Sequence, residues 1–110
     1  MERREMRIEI IQPIGHLDST STTYFRQQAN SILDRKPDVL LIDLKHLKQI
    51  DSSGLGVLVF ALRSANAIGC KFALCSLSEY INFLLEATLM KDLFDIFENR
   101  NQFEQSLKKV

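Results

Sequence analysis

The run from Asp38 to Leu44, D-V-L-L-I-D-L, constrains the fold of this chain more than any other segment. Its β-branched and leucine side chains are dense enough to predict a β-strand that is buried on both faces, as in the parallel sheets of α/β proteins. A chain of 110 residues, 45% of them apolar, can build one hydrophobic core around such a strand and is too short for a second. We therefore expect a single domain spanning residues 1–110.

The segment upstream of this run predicts two short strands and a helix. Apolar residues at every second position from Met6 to Ile10 predict a half-buried strand, and a second short strand is expected over Ile14–Leu17. A cluster of helix-capping residues, Asp18–Thr23, then predicts a helix that is ended by Lys36-Pro37. The apolar face of this helix has helical spacing and consists of Phe25, Ala29, Ile32 and Leu33.

Downstream, the pattern predicts three more helices and further strands. A helix is expected within Asp51–Gly69, with the glycine as its C-cap, and a strand over Lys71–Ser76. Ser78 is expected to cap the next helix, Leu93–Phe97 to be a strand or loop, and Asn101 to precede the last helix. The apolar faces of the three helices are Leu55, Leu58, Val59, Leu62 and Ala65; Ile81, Leu84, Leu85 and Thr88; and Phe103, Leu107 and Val110.

The alternation of strands and helices predicts an α/β fold in which a small mixed β-sheet packs with about four helices. The 14 Lys and Arg residues balance the 14 Asp and Glu residues, so the net charge is near zero. This balance argues against nucleic acid or an anionic membrane as a partner. The longest apolar stretch, Leu55–Leu62, is far shorter than the roughly 20 residues of a membrane span, and no signal-peptide pattern is present. Cys70 and Cys75 have no metal-ligand partners in sequence and are expected to pack as small hydrophobes. We expect a cytoplasmic protein without a metal or cofactor.

One segment carries candidate chemistry: Asp51-Ser52-Ser53-Gly54-Leu55-Gly56, called the corner below, at a predicted strand-to-helix junction. It follows Ile50 and a polar segment, residues 45–49, that we expect to be an exposed loop. The first N–H groups of a helix are unpaired and carry positive partial charge, so they can hold an anion such as phosphate. The two glycines would let a ligand or another protein's backbone approach. These residues therefore suit a serine that accepts a phosphoryl group, and they also suit plain helix capping by Asp51 or Ser52.

Two other functions have weaker support in the sequence. A hydrolase triad of Ser53 with His16 or His46 lacks the G-x-S-x-G pattern of a nucleophile elbow, so we expect no enzyme. Gly54 and Gly56 have the spacing of a dinucleotide-binding loop, but the third glycine position holds a valine and no G-K-[ST] is present. A module that binds a nucleotide or small ligand is the alternative to a phosphoacceptor domain.

The corner and the segments around it resemble the STAS family, the domain of bacterial anti-sigma factor antagonists that also occurs on sulfate transporters. The resemblance runs from about Ile8 to Leu107 and implies a STAS-type fold, a small sheet with helices packed against it. At one turn, Thr88-Leu89-Met90 departs from the Thr-Gly-Leu that is common in the family. The matching segments are the G-x-L-D turn of Gly15, Leu17 and Asp18, the strand end Ile42-Asp43-Leu44, I-D-S-S-G-L-G-V-L from Ile50 to Leu58, and the helix–strand junction from Ala67 to Leu74.

The resemblance implies a partner switch. In the family, an anti-sigma factor that is also a serine kinase phosphorylates the second serine of D-S-S-G, which is Ser53 here. The unphosphorylated protein binds this kinase and frees a sigma factor or another, non-sigma client; the phosphorylated form releases the kinase, and a serine phosphatase resets the cycle. By position we expect Ser53 to be the phosphorylation site, and we expect partner binding by Asp18, Asp51, Ser52, Gly54, Leu55 and Gly56.

Overall fold

The computed structural model describes residues 5–108, which form four α-helices and two parallel sheets. Strands β1, β3, β5 and β6 form the larger sheet in that order, and β2 pairs with β4 in the smaller one. The elements are β1 (Ile8–Ile11), β2 (Gly15–Leu17), α1 (Thr22–Leu33), β3 (Val39–Asp43), β4 (Leu47–Ile50), α2 (Ser52–Ala67), β5 (Lys71–Cys75), α3 (Glu79–Ala87), a 3₁₀ turn (Lys91–Leu93), β6 (Asp95–Phe97) and α4 (Arg100–Leu107).

The α/β class and the four helices confirm the prediction, but the sheet is not mixed. Each pairing among the described strands is parallel. The reason is the connections, since α1, α2 and α3 each cross between successive strands of the larger sheet, and a helical crossover returns the chain in the same direction. The segment Leu93–Phe97, for which the sequence left strand and loop open, supplies β6.

β3 lies inside the larger sheet and is buried at all five positions, as its sequence predicts. Leu40 and Ile42 belong to the main core, which also contains the buried residues of α1, α2 and α3. Val39 and Leu41 face the other way and pack in a smaller cluster with Phe103 of α4. Three helices therefore cover one face of the sheet, and α4 covers part of the other.

The two cysteines confirm their predicted role in packing. Cys70 lies in the main core and Cys75 in the smaller cluster, and both are free and buried. Burial raises the pKa of both thiols, which keeps them neutral and unreactive.

β1 is a strand, as predicted, but its alternation predicts the wrong face to lie in the core. Ile11 is buried, whereas Ile8 is 37% and Ile10 is 38% exposed. The register pairs these two residues with Val39 and Leu41, on the side of the sheet that α4 covers only over β3 and β5. Alternation shows that the two faces of a strand differ, but which face is covered depends on the packing of distant elements.

β4 corrects a second expectation, since residues 45–49 are predicted as a loop and most of them form a strand. Its buried residues, Leu47 and Ile50, are three positions apart, so the strand shows no alternation. Leu47 pairs with Gly15 and Gln49 with His16, which leaves Lys48 as an extra residue, a β-bulge. The bulge hides the strand from pattern analysis and brings the ends of β2 and β4 into register.

The first three helices lie where the sequence predicts them, although Thr88, predicted on the apolar face of α3, follows the end of that helix and is exposed. The whole predicted face of α1 is buried. Ser78 caps α3 because its Oγ accepts the Ile81 N–H at 3.1 Å, and Gly69 follows α2 with a φ of +73°. Val59 and Leu62 of α2, predicted to be core, are only half-buried. The buried residues of α2 are Gly54, Leu55, Val57, Leu58, Ala61 and Ala65.

α4 begins earlier than the sequence suggests. Its cap is Asn99, whose Oδ1 accepts the Gln102 N–H at 2.8 Å, so Asn101 lies inside the helix rather than before it. Phe103 is buried as predicted, and Leu107 packs beside it. The third predicted position of this face, residue 110, lies outside the described residues.

An ion pair attaches α4 to the sheet. Arg100 Nε lies 2.5 Å from Oδ2 of Asp43, which ends β3 and is only 2% exposed. Gln12 Nε2 donates to the same oxygen at 3.2 Å, and the Lys45 N–H donates to Oδ1 at 3.0 Å. Burial by itself would raise the pKa of Asp43, but the guanidinium and the Lys45 N–H outweigh it and hold this pKa below its ordinary value.

Strain is present at the C-terminal end of α3. Leu89 has a φ of +59°, a left-handed conformation that a Cβ disfavours, and its side chain is 88% exposed. The Met90 N–H donates to the Leu85 carbonyl at 2.9 Å and closes the helix end in the way that usually places glycine at position 89. Because the Leu89 side chain is exposed, it gains no packing energy that would offset the backbone strain.

Replacing Leu89 with glycine should raise the free energy of unfolding by about 1 kcal/mol, because it relieves the left-handed strain. Leu89→Ala is the matched control, since it removes the exposed side chain but keeps the Cβ, and it should change stability by less than about 0.5 kcal/mol. Urea unfolding of the three proteins measures both differences. Equal effects of the two substitutions would contradict the strain.

Replacing Arg100 with methionine should lower the free energy of unfolding by about 2 kcal/mol at neutral pH, because it leaves the Asp43 carboxylate buried without its counter-ion. The lowered pKa of Asp43 means that its stabilising contribution is present above its unfolded pKa and is lost as pH falls through the folded pKa. The difference between wild type and Arg100→Met should therefore shrink in urea titrations below about pH 4. A difference that does not change with pH would speak against this ion pair.

Candidate functional site

The corner lies where the smaller sheet ends. Leu17 and Ile50 are the paired last residues of β2 and β4, and the Asp51 N–H donates to the Leu17 carbonyl at 3.3 Å. Because the strands are parallel, the next residues, Asp18 and Asp51, leave the sheet at the same edge. α2 begins immediately afterwards at Ser52. The topology thus brings together two carboxylates that are 33 positions apart.

Asp51 caps α2, as one of the two interpretations of its sequence predicts. Its Oδ1 accepts the Gly54 N–H at 3.0 Å, and its carbonyl accepts the Leu55 N–H at 2.9 Å. Ser52 and Ser53 occupy the first two positions of the helix, where N–H groups have no partner within the helix. Among residues 5–108, neither serine forms a hydrogen bond through its N–H or its hydroxyl. Capping therefore leaves both serines available.

Ser53 combines exposure with a favourable electrostatic position. Its side chain lies at the surface in the first turn of α2, where the unpaired N–H groups favour negative charge. Ser52 is also exposed and lies one position earlier in the same turn. The geometry can therefore hold a phosphate on a serine without refolding the domain.

Asp18 is held in a tight turn before α1. Its Oδ1 accepts the Thr20 hydroxyl at 2.6 Å and the Thr20 N–H at 2.9 Å, and these hydrogen bonds lower the pKa of Asp18. The cluster of capping residues predicts a side-chain cap for α1, but Ser21, which precedes the helix, does not form one. Its Oγ instead donates to the His16 carbonyl and accepts the Asp18 N–H, both at 3.0 Å. The turn thus keeps a charged carboxylate at the end of β2.

The two glycines of the corner have different surroundings. A Cβ on Gly54 would lie 2.0 Å from the Leu17 carbonyl oxygen and 2.6 Å from Ile50 Cγ1, so only glycine lets α2 approach the smaller sheet this closely. A Cβ on Gly56 would meet nothing within 4 Å. Gly54 and Leu55 are both buried, so within the domain they position the helix, and their contact with a partner stays a prediction. Gly56 stays at the surface.

A shallow depression of about 450 Å³ continues from the corner along the exposed side of α2. The guanidinium of Arg26 in α1 lies 4.6 Å from the centre of the Phe60 ring, beside this depression. The apolar spacing of α2 does not predict this depression because it places Val59 in the core, although residues 56, 59, 60 and 63 recur at helical spacing from Ser52 and Ser53. The lining residues are Gly56, Val59, Phe60, Arg63, Ser64 and Ala67.

Other chemistries find less support in the geometry. His16 and His46 are exposed, and within the described chain neither forms a hydrogen bond with Ser53 through its ring. The Gly54 N–H, which a dinucleotide loop would offer to a phosphate, is already taken by the Asp51 carboxylate. No group of three or more His, Cys, Asp or Glu side chains within residues 5–108 is placed to hold a metal ion. In the same residues, no helix has both the length and the apolar character to cross a bilayer.

The sequence is similar to known proteins over most of its length. A family model described as the STAS domain matches residues 3–103. An anti-sigma F factor antagonist of Paenibacillus polymyxa is 28% identical over 91 residues, which cover 82% of this chain and 78% of the relative. The anti-sigma-B factor antagonist of Bacillus subtilis is 33% identical over 82 residues, 74% of each chain.

Solved structures show the same fold. A crystal structure of a Thermotoga maritima protein superposes with a TM-score of 0.86 at 23% identity, over 93% of this chain and 88% of that one. The Bacillus cell fate determinant SpoIIAA, in its phosphorylated form, superposes with a TM-score of 0.69 at 16% identity, over 96% of both chains. The order of the elements around the corner is therefore that of a recurrent architecture.

The two glycines offer a matched pair of substitutions in one helix. Gly54→Ala should lower the free energy of unfolding by about 3 kcal/mol, because its methyl group overlaps a backbone carbonyl. Gly56→Ala should raise it by up to about 1 kcal/mol, because alanine favours a helix interior and the new methyl group points into open space. Urea unfolding compares the two, and changes of the same sign would contradict the packing described here.

Proposed function

Because the chain belongs to the STAS domain family, we propose that it is an anti-sigma factor antagonist that changes partners when Ser53 is phosphorylated. Both named relatives are anti-sigma factor antagonists, which supports this function. The observation that carries the assignment of the site is the exposure of Ser53 in a capped first turn, where both its N–H and its hydroxyl are free of other described residues. The proposed partner is an anti-sigma factor that is also a serine kinase.

In the unphosphorylated state, the partner binds the exposed side of the corner and the depression along α2. Gly56 supports this placement because glycine inside a helix costs about 1 kcal/mol relative to alanine, and no contact within the domain requires it. A partner backbone that passes over Gly56 would account for the missing side chain. The proposed surface also includes Asp51 and Ser52, which are exposed at the start of the same helix, and Asp18, which is half-buried at the end of β2. When this protein binds the anti-sigma factor, the anti-sigma factor releases its sigma factor.

Phosphorylation changes the charge of this surface. The Ser53 hydroxyl oxygen attacks the terminal phosphorus of a nucleoside triphosphate held by the kinase, the bond between that phosphorus and the bridging oxygen breaks to leave a nucleoside diphosphate, and the hydroxyl proton passes to solvent. The product carries about −1.5 to −2 charges at pH 7. The free N–H groups at the start of α2 favour this charge within the domain. At the interface the phosphate adds bulk. It also adds negative charge beside Asp51 and Asp18, and this charge repels acidic groups of the partner, so the partner dissociates.

The fold does not have to change for this switch to work. The phosphorylated serine lies outside the core, and the cap that starts α2 uses the Asp51 carboxylate rather than either serine. The likeness to SpoIIAA in its phosphorylated form supports a phosphorylated state with this architecture. We further propose that the chain acts in the cytoplasm as a single domain, without catalytic activity of its own, and that a serine phosphatase resets it. The same surface serves equally if the client is not a sigma factor.

Mass spectrometry after incubation with the anti-sigma factor kinase of the same cells tests the site. One phosphate is expected on wild type and on Ser52→Ala, and none on Ser53→Ala. Ser53→Ala should keep its affinity for the kinase within about threefold, whereas phosphorylated wild type should bind at least about tenfold more weakly, a loss of about 1.4 kcal/mol or more. Phosphate on Ser53→Ala, or equal affinities of the two forms of wild type, would rule out the switch at Ser53.

A further inference from the structure

β1 is an edge strand of the larger sheet, and no described strand pairs with its outer side. Among the described strands it pairs with β3 alone. The Arg7 carbonyl accepts the N–H groups of Asp38 at 2.9 Å and Val39 at 3.2 Å, so the backbone of residue 7 is turned towards β3. Because backbone groups alternate in direction along a strand, those of Ile8 and Ile10 point away from the sheet. Such a row of donors and acceptors is a template for another strand.

The side chains along this edge are apolar on one face. Met6 is 53% exposed, and Ile8 and Ile10 expose more than a third of their surface each. They lie beside Val39 and Leu41, which α4 covers. The edge therefore combines open backbone groups with a strip of three exposed apolar side chains, a combination that natural sheets usually block with charges or proline.

The opposite face of the same segment carries charges of opposite sign, Arg7 and Glu9. The Arg35 guanidinium lies 3.7 Å from Glu9, and the Arg7 guanidinium donates to the Arg35 carbonyl. These contacts lie at the surface, so they leave both charges open to further partners. The segment thus holds a positive and a negative residue at equal distances on either side of Ile8.

We propose that this edge binds the β1 edge of a second copy of the chain, antiparallel and centred on Ile8. In that register Ile8 lies opposite its own counterpart, Met6 lies opposite Ile10, and Arg7 lies opposite Glu9 of the other copy. The pair is symmetric about a two-fold axis perpendicular to the sheet, so the apolar strips meet on one face and the opposite charges on the other.

The backbone directions agree with this register. Residues 8 and 10 direct their N–H and carbonyl groups outwards, and such residues form the hydrogen-bonded pairs of an antiparallel ladder. A register centred on Glu9 would place two like charges opposite each other and would leave Arg7 opposite Ile11. The alternation of charge therefore selects the arrangement centred on Ile8, and it makes the strand complementary to itself rather than to an unrelated strand.

Charge reversal tests the register in the full chain without any partner protein, so its result is independent of the proposed switch. Arg7→Glu places two acidic residues opposite each other in its homodimer, and Glu9→Arg places two basic residues there. An equal mixture of the two variants restores opposite charges in both positions of the heterodimer. Glu104→Arg, an exposed reversal on α4, is the control.

Sedimentation equilibrium measures the association. Protein concentrations up to about 1 mM are needed because a pairing of two short strands is expected to bury less than the roughly 800 Å² per partner of a standard interface and therefore to be weak. Wild type and Glu104→Arg should form dimers, each edge variant alone should associate at least about tenfold more weakly, and the mixture should regain the wild-type constant. The regain also shows that the variants are folded. A monomeric wild type, edge variants that dimerise like wild type, or a mixture without regain would each overturn the proposal.

Discussion

The contact between the first turn of α2 and the Leu17 carbonyl fixes the geometry on which the site depends. That carbonyl accepts the Asp51 N–H and lies where a side chain on residue 54 would have to be. Without a glycine there, α2 would move away from the smaller sheet, and its first turn would no longer lie against the edge at which Asp18 and Asp51 leave that sheet. The bulge at Lys48 belongs to the same constraint, because it sets the register in which Leu17 meets Ile50.

Capping and phosphate acceptance are compatible at this corner because they use different atoms. The Asp51 carboxylate takes the Gly54 N–H, which secures the start of the helix, and the two serines ahead of that glycine stay unengaged among the described residues. The helix start is therefore independent of the state of either hydroxyl. A charged group can come and go at the surface while the packing beneath it stays the same, which is what a reversible switch between partners requires.

The sequence predicts the elements whose signals are local and fails where the outcome depends on distant packing. β3, the buried face of α1, and the caps at Asp51 and Ser78 follow from residue types and spacing within a few positions. The sequence does not predict β4 because a bulge breaks its alternation. It predicts the wrong buried face for β1 because that face depends on where α4 packs against the sheet. At the site, the position of Ser53 could be predicted, whereas the burial of Gly54 required the approach of β2, which no local pattern encodes.

The size of α4 explains why the other described residues leave Met6, Ile8 and Ile10 exposed. Its eight residues span about 12 Å, and a helix is about 10 Å wide, which is enough to cover roughly two strands that lie about 4.8 Å apart. The ion pair of Arg100 with Asp43 holds the helix at the end of β3, and Phe103 packs over β3 and β5. The helix is therefore too short to cover β1 as well. The exposed apolar edge is thus a consequence of where this ion pair anchors α4, and any element that completes the face must come from outside the described residues.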